Sequence, residues 1–171
     1  GEDMMYNEKD VQLKYRNLAV LWNLHRYVLD LAKEVEMPAD AVAQKLIGKE
    51  EQFMLSRLNN TLREVTHCFE HNYLNQIPHL IENCFLELSR TYVQFVREKA
   101  SGENDEKMCV LWTLANSLLA CLKLFAPVAP FITEQIYQNL RQPLALKEQS
   151  IFFHKWPSFN SSLLSLNWNR K

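Results

Sequence analysis

Apolar side chains recur at every third or fourth position along most of this chain, and stretches of strict alternation are few. That period belongs to helices packed along one face, so the fold class expected is all-α, an antiparallel bundle of four to five helices. The first helix should cover residues 9–36, with Asn7 as its N-cap and Pro38 as its stop. Val11, Tyr15, Leu18, Trp22 and Leu29, joined by Leu13, Val20, Leu24, Val28, Leu31 and Val35, give it an apolar face broad enough for two or more neighbours. At its full length this rod would reach about 40 Å. A short helical piece over residues 39–46 should end at Gly48.

A second long helix is expected over residues 49–71, with Leu55, Leu58, Leu62, Val65 and Phe69 as its seam. Arg57, Asn60, Glu64, His67 and His71 form a polar stripe opposite, facing water or a partner. The third helix should span residues 76–99 on Ile77, Ile81, Cys84, Leu88, Tyr92 and Phe95. Pro78 falls in its first turn, where a missing N–H costs nothing. After an exposed loop at residues 100–105, a fourth helix over 105–125 is built on Met108, Leu111, Leu114, Leu118, Leu122 and Phe125. Pro127 and Pro130 break it, and Pro130 opens a shorter fifth helix to residue 140. A polar loop over 142–149, a short extended segment over 150–157 and a Ser/Asn-rich tail come next. This divides the chain into a bundle at 1–141 and an extension at 142–171.

With 171 residues, 47% apolar and 23% charged, the chain can bury roughly 70% of its unfolded surface in one compact domain. Disorder and collagen-like character are excluded by the apolar content and the 3 glycines. The formal charge of −1 gives no global basic field, so contact with nucleic acid needs a local patch. Purely apolar runs are short, so no membrane partner is expected. No secretory signal is visible at the start. Cys68, Cys84, Cys109 and Cys121 form no CxxC and sit within apolar helical patterns, which suggests reduced thiols and a cytoplasmic location.

No phosphate loop, GxSxG, HExxH or carboxylate pair on an apolar face suggests catalysis. His67 and His71, one turn apart, can share a metal, but on a polar stripe solvated histidines are the plainer expectation, and no metal ligand is assigned. His25 and His79 are expected at core boundaries. A recognition face is the stronger candidate. Asn23, Arg26, Asp30 and Lys33 fall on one side of the first helix, with Tyr27 beside them. Asn pairs bidentately with base edges, Arg pairs, stacks or holds phosphate, and Tyr stacks on an unpaired base. The competing expectation is a solvated face with an Arg26–Asp30 ion pair. Arg57, Arg90, Arg97 and Lys99 are further basic candidates. Trp22 and Trp156 are expected as core or lid aromatics, and Pro127-x-x-Pro130-Phe131 as a packing turn.

Five motifs occur in order: Leu21-Trp22-Asn23, Leu55-Ser56-Arg57-Leu58, Leu88-Ser89-Arg90-Thr91-Tyr92-Val93, Ala126-Pro127-Val128-Ala129-Pro130-Phe131-Ile132-Thr133-Glu134-Gln135-Ile136-Tyr137, and Ser150-Ile151 through His154-Lys155-Trp156-Pro157. In this order and at these intervals the chain resembles the anticodon-binding helix bundle of the class I aminoacyl-tRNA synthetases for isoleucine, valine and leucine. Tyr137-Gln138-Asn139-Leu140, and Tyr92-Val93 before Arg97, resemble the isoleucine enzymes most. Gly1-Glu2-Asp3 with Asn7 is similar to the junction just after their catalytic domain. The resemblance implies binding of a tRNA anticodon stem-loop, tRNA-Ile by preference, beside a catalytic domain of the same chain. It assigns Asn23 to the anticodon side, with Arg26, Tyr27, Lys33, Arg57, Arg90 and Arg97 as further tRNA-binding candidates. The ATP and Mg2+ of the parent enzyme belong to the catalytic domain, whose His-x-Gly-His and Lys-Met-Ser-Lys-Ser signatures are missing here, so neither catalytic residues nor a cofactor are expected in these residues.

Two other classes fit parts of the pattern. A secreted four-helix cytokine matches the length, the four cysteines and the glycosylation patterns Asn59-Asn60-Thr61 and Asn160-Ser161-Ser162. A protein-docking bundle in a multi-synthetase assembly, using the stripe of Glu64, His67 and His71, is compatible as an added role.

Overall fold

The computed structural model describes residues 7–158, in which helices α1 (Glu8–Glu34), α2 (Asp40–Leu46), α3 (Lys49–Glu70), α4 (Ile77–Glu87), α5 (Val93–Phe95), α6 (Asn104–Phe125) and α7 (Pro130–Arg141) succeed one another, with no strand among the described residues. The Gly1-Glu2-Asp3 junction, the tail and the Asn160 pattern lie outside them. Asn7 caps α1 as expected, its Oδ1 accepting from the Lys9 N–H at 3.1 Å. Pro130 opens α7 as expected.

α6 is the axis of the bundle and packs against α1, α2, α3, α4 and α7. It is buried almost all round, from Cys109 through Leu118 to Phe125, because a helix apolar on every side must be covered on every side. By length and composition α6 is apolar enough to cross a membrane, and 72% of that stretch is buried inside the bundle, as a core helix should be. All four cysteines are buried and free. Asn59, the acceptor of the first glycosylation pattern, is also buried, which removes that support for a secreted cytokine.

Three expected features differ. First, α1 is rotated relative to its expected seam. Asn17, Leu21, Leu24, His25, Val28 and Leu31 face the core, whereas Val11, Leu13, Tyr15 and Trp22 are exposed. His25 is therefore a core residue, not a boundary one. Burial of Asn17 is compensated at the α1–α4 contact, where its Nδ2 donates to buried Glu82 at 3.0 Å and Lys14 Nζ donates to the same carboxylate at 2.7 Å.

Second, the third helix is not one α-helix. α4 widens into a π-helical stretch at Leu88–Tyr92, where Val93 N–H reaches back to the Leu88 carbonyl. A π turn holds an extra residue and rotates the next turn, so Val96 is buried and Phe95 is exposed. Tyr92, at the end of this stretch, keeps the inward place its seam position implies, and its hydroxyl donates to Glu51 Oε1 at 3.3 Å.

Third, the extended segment near residue 150 is a 3-10 turn, Ile151–Phe153. Ser150 Oγ and the Ile151 N–H both donate to Glu134 Oε2, at 2.9 and 3.0 Å, which winds the chain onto α7. His154 Nε2 donates to the Tyr137 hydroxyl at 2.9 Å, and that hydroxyl donates to the Glu148 carbonyl at 2.8 Å. Trp156 is the expected lid: its Nε1 donates to Thr66 Oγ1 at 2.9 Å and its ring stands edge-on to Phe69.

Candidate nucleic-acid interface

The buried face of α1 fixes what its other side presents. With Leu21, Leu24, Val28 and Leu31 inward, Asn23, Arg26, Asp30 and Lys33 all stand exposed along the opposite side. Asp30 is held by Lys33 at 2.7 Å rather than by Arg26. The Lys33 hydrogen bond keeps the Asp30 carboxyl below its usual range. Arg26 has no hydrogen bond or ion pair among the described residues, so its guanidinium is available to a ligand.

Tyr27 lies at the flank of this stripe, half-buried, in a groove of about 280 Å³ between α1 and the end of α5. Asp30, Glu34, Gln94 and Arg97 line the same groove. The tertiary fold thus brings Tyr27 and Arg97, seventy residues apart in the chain, to one site. Burial raises the Tyr27 hydroxyl above its ordinary value, the Glu34 charge adds to this, and Arg97 opposes it. Both carboxylates of the groove already have lysines: Lys33 on Asp30, and Lys107 on Glu34 at 2.8 Å. Arg97, like Arg26, has no ion-pair partner among the described residues.

Other basic candidates are placed differently. Arg57 Nε donates to Glu87 at 2.8 and 3.1 Å, joining α3 to α4. Lys99 is committed to Glu50 at 2.8 Å and to Glu51 at 3.1 Å. Arg90 is exposed on the π-helical stretch and has no hydrogen bond or ion pair among the described residues. Trp22 is not in the core: it is exposed, edge-on to His25 with ring centroids 4.5 Å apart. Sequence reasoning missed it as a surface aromatic, since an apolar side chain at helical spacing signals the core first.

Comparison with known proteins decides the family. The family described as "Anticodon-binding domain of tRNA ligase" matches residues 51–170. The chain belongs to that family. It is similar to the isoleucine–tRNA ligase of Pyrococcus horikoshii, 33% identical over 168 residues, which cover 94% of this chain and 16% of the relative. The isoleucine–tRNA ligase of Pyrococcus furiosus is 32% identical over 177 residues, covering 99% of this chain and 16% of the relative. That of Methanopyrus kandleri is 32% identical over 163 residues, covering 91% and 15% respectively. The chain thus spans about one-sixth of the length of the curated relatives it matches. As an anticodon-binding domain it is favoured clearly over the cytokine reading: its connections are short, its thiols are free, and its likeness is to tRNA ligases.

Proposed function

We propose that this anticodon-binding domain docks the anticodon stem-loop of tRNA-Ile through the outer side of α1 and the groove it shares with α5. The observation that carries the reading is the charge pattern of that face. Its carboxylates are matched by lysines, while Arg26 and Arg97 are left without ion partners among the described residues. Asn23 offers a bidentate edge for a base, Arg26 and Arg97 hold phosphate or stack, and Tyr27 walls the groove against an unpaired base. Lys33 is already paired with Asp30 and Arg57 with Glu87, so these two are held by their carboxylates and add little to the net charge of the face. Arg90 extends the basic surface along the π-helical stretch.

On this reading residues 1–141 are the docking bundle and 142–171 its extension. A catalytic domain of the parent isoleucine-tRNA ligase, in the cytoplasm, would use ATP and Mg2+ to charge the tRNA that this domain positions. The relatives' printed names support isoleucine over valine or leucine. A multi-synthetase assembly would engage a different surface, the stripe with Glu64, His67 and His71.

The test is an NMR shift titration of the labelled chain with an isoleucine anticodon stem-loop, beside one with a swapped anticodon. Shifts centred on Asn23, Arg26 and Arg97, and larger for the isoleucine loop, are expected. Equal shifts with both loops would reduce the site to backbone docking. Unchanged affinity in the double variant Asn23→Ala, Arg26→Ala, with helicity intact, would remove α1 from the interface.

A further inference from the structure

We propose that His67, Glu70 and His71, on the last turn of α3 and its C-cap, form a surface site for one divalent transition-metal ion of the zinc class. One ligand atom from each of the three side chains lies within 4.8 Å of the other two. The spacing i, i+3, i+4 puts all three on one side of the helix end. Two imidazoles and a carboxylate are the donor set of three-ligand zinc sites that keep a position open for water, and they suit zinc, nickel or copper better than calcium or magnesium. Ligands on a tetrahedral zinc stand about 3.3 Å apart, given bonds of about 2.0 Å. Since all three side chains are exposed, small rotations about their own torsions supply that closure.

Three further observations favour a ligand set over three solvated side chains. His71 Nδ1 lies 2.9 Å from the His67 carbonyl oxygen. A carbonyl can only accept, so Nδ1 carries the proton and Nε2 keeps the lone pair that a metal needs. A backbone carbonyl is a usual outer partner of a ligating histidine. Next, the two imidazoles are already gathered, with ring centroids 4.0 Å apart. Tyr73 lies beside them: its ring is near-parallel to His71 at 6.0 Å and 6.2 Å from His67. It can do so because α3 ends on Asn72 in the left-handed region, at φ 59°, and the Tyr73 N–H returns to the Cys68 carbonyl at 2.8 Å. Finally, the site sits at a helix C-terminus, where the backbone dipole favours a cation. Glu70 has no ion-pair partner among the described residues, so its carboxylate is available to the metal.

This site is separate from the proposed RNA face. Glu51, whose partner Lys99 lies beside the Arg97 groove, is sixteen residues earlier on α3, about 24 Å along the helix.

The experiment is a calorimetric titration of the whole 171-residue chain with Zn2+ alone, and then X-ray absorption on the zinc-loaded protein. One Zn2+ per chain with only nitrogen and oxygen neighbours is expected. His67→Gln, Glu70→Gln and His71→Gln should each weaken binding at least about tenfold, with far-UV circular dichroism unchanged. His79→Gln, an exposed histidine outside the cluster, should leave binding as it is. Sulfur neighbours would place the ion on a cysteine and overturn the site. Wild-type affinity in either histidine variant, or in Glu70→Gln, would overturn it as well.

Discussion

Lys99 Nζ stands 3.1 Å from Oε2 of Glu51, a carboxylate whose side chain has no solvent exposure. The Tyr92 hydroxyl and the Gly48 N–H donate to the same carboxylate, at 3.3 and 2.8 Å. Lys99 therefore neutralises a buried charge while tying the end of the α4–α5 arm to the start of α3, two residues beyond Arg97. Glycine at position 48 is part of this arrangement, since a Cβ there would come within 2.9 Å of both Glu51 Oε2 and Lys99 Nζ.

Removing one partner of a buried pair leaves an uncompensated charge, so Lys99→Met should destabilise the fold by about 2–4 kcal/mol in urea unfolding at neutral pH, below the fully buried extreme because Lys99 retains some exposure. The double variant Glu51→Gln, Lys99→Met keeps an acceptor for Tyr92 and Gly48 without the charge. It should recover at least half of that loss. A double variant as unstable as the single one would show that the packing of the lysine stem, not the charge, holds the junction.

Stability should fall on both sides of neutrality. Burial pushes the His25 imidazole below its ordinary value; the Trp22 backbone partly offsets this, and the Arg26 charge adds to it. Burial lowers His154 too, reinforced by Lys123 and opposed by Glu148. Groups lowered in this way bind protons more readily unfolded than folded. Their contribution is present above the ordinary histidine value and is lost as pH falls below it, by up to ~1.4 kcal/mol per pH unit for each proton. At the alkaline end, burial penalises the Lys99 ammonium, but hydrogen bonds to Glu50 and Glu51 outweigh that and raise it. Its contribution is intact below the ordinary lysine value and lost as pH rises through its own. Urea midpoints between pH 5 and 11 measure this; His25→Gln should flatten the acidic limb only.

Thiol titration reads the core. Cys121 Sγ donates to Cys84 Sγ at 3.5 Å across α4 and α6, as free thiols with no disulfide between them, and burial pushes the Cys109 thiol up to about 11. A thiol reagent should react slowly with the folded chain at neutral pH and then titrate four groups once it is denatured without reductant. Two or fewer would show that disulfides form.

For RNA binding, salt dependence separates phosphate contacts from structural arginines. Arg97→Gln should reduce the slope of log affinity against log salt by about 0.7–0.9 if it neutralises one phosphate. Arg57→Gln should leave that slope nearly unchanged and instead loosen the α3–α4 junction, because its guanidinium already serves Glu87. Equal slopes in wild type and Arg97→Gln would take the groove out of the backbone contact.

Local signals determined a good deal of this protein. The periodic apolar positions of the chain that became α3 and α6, Asn7 as a cap and Pro130 as a helix start depend on neighbours within one or two turns, and they are legible in the sequence. The ordered motifs from Trp22-Asn23 to Trp156-Pro157 likewise pointed to the tRNA-ligase family. Tertiary structure decided the rest. α1 carries apolar residues around most of its circumference, so only its neighbours could choose that Leu21 and His25 go inward and Trp22 outward. The single-residue phase shift at Leu88–Tyr92 has no Pro or Gly to mark it, and the Tyr92–Glu51 contact it accompanies spans forty-one residues. Ion pairing was equally out of reach: Arg57 with Glu87, Lys107 with Glu34 and Lys99 with Glu51 join separate elements. Periodicity records where side chains lie around their own helix; which charge meets which, and therefore which arginines stay available to a ligand, depends on how the helices are set against one another.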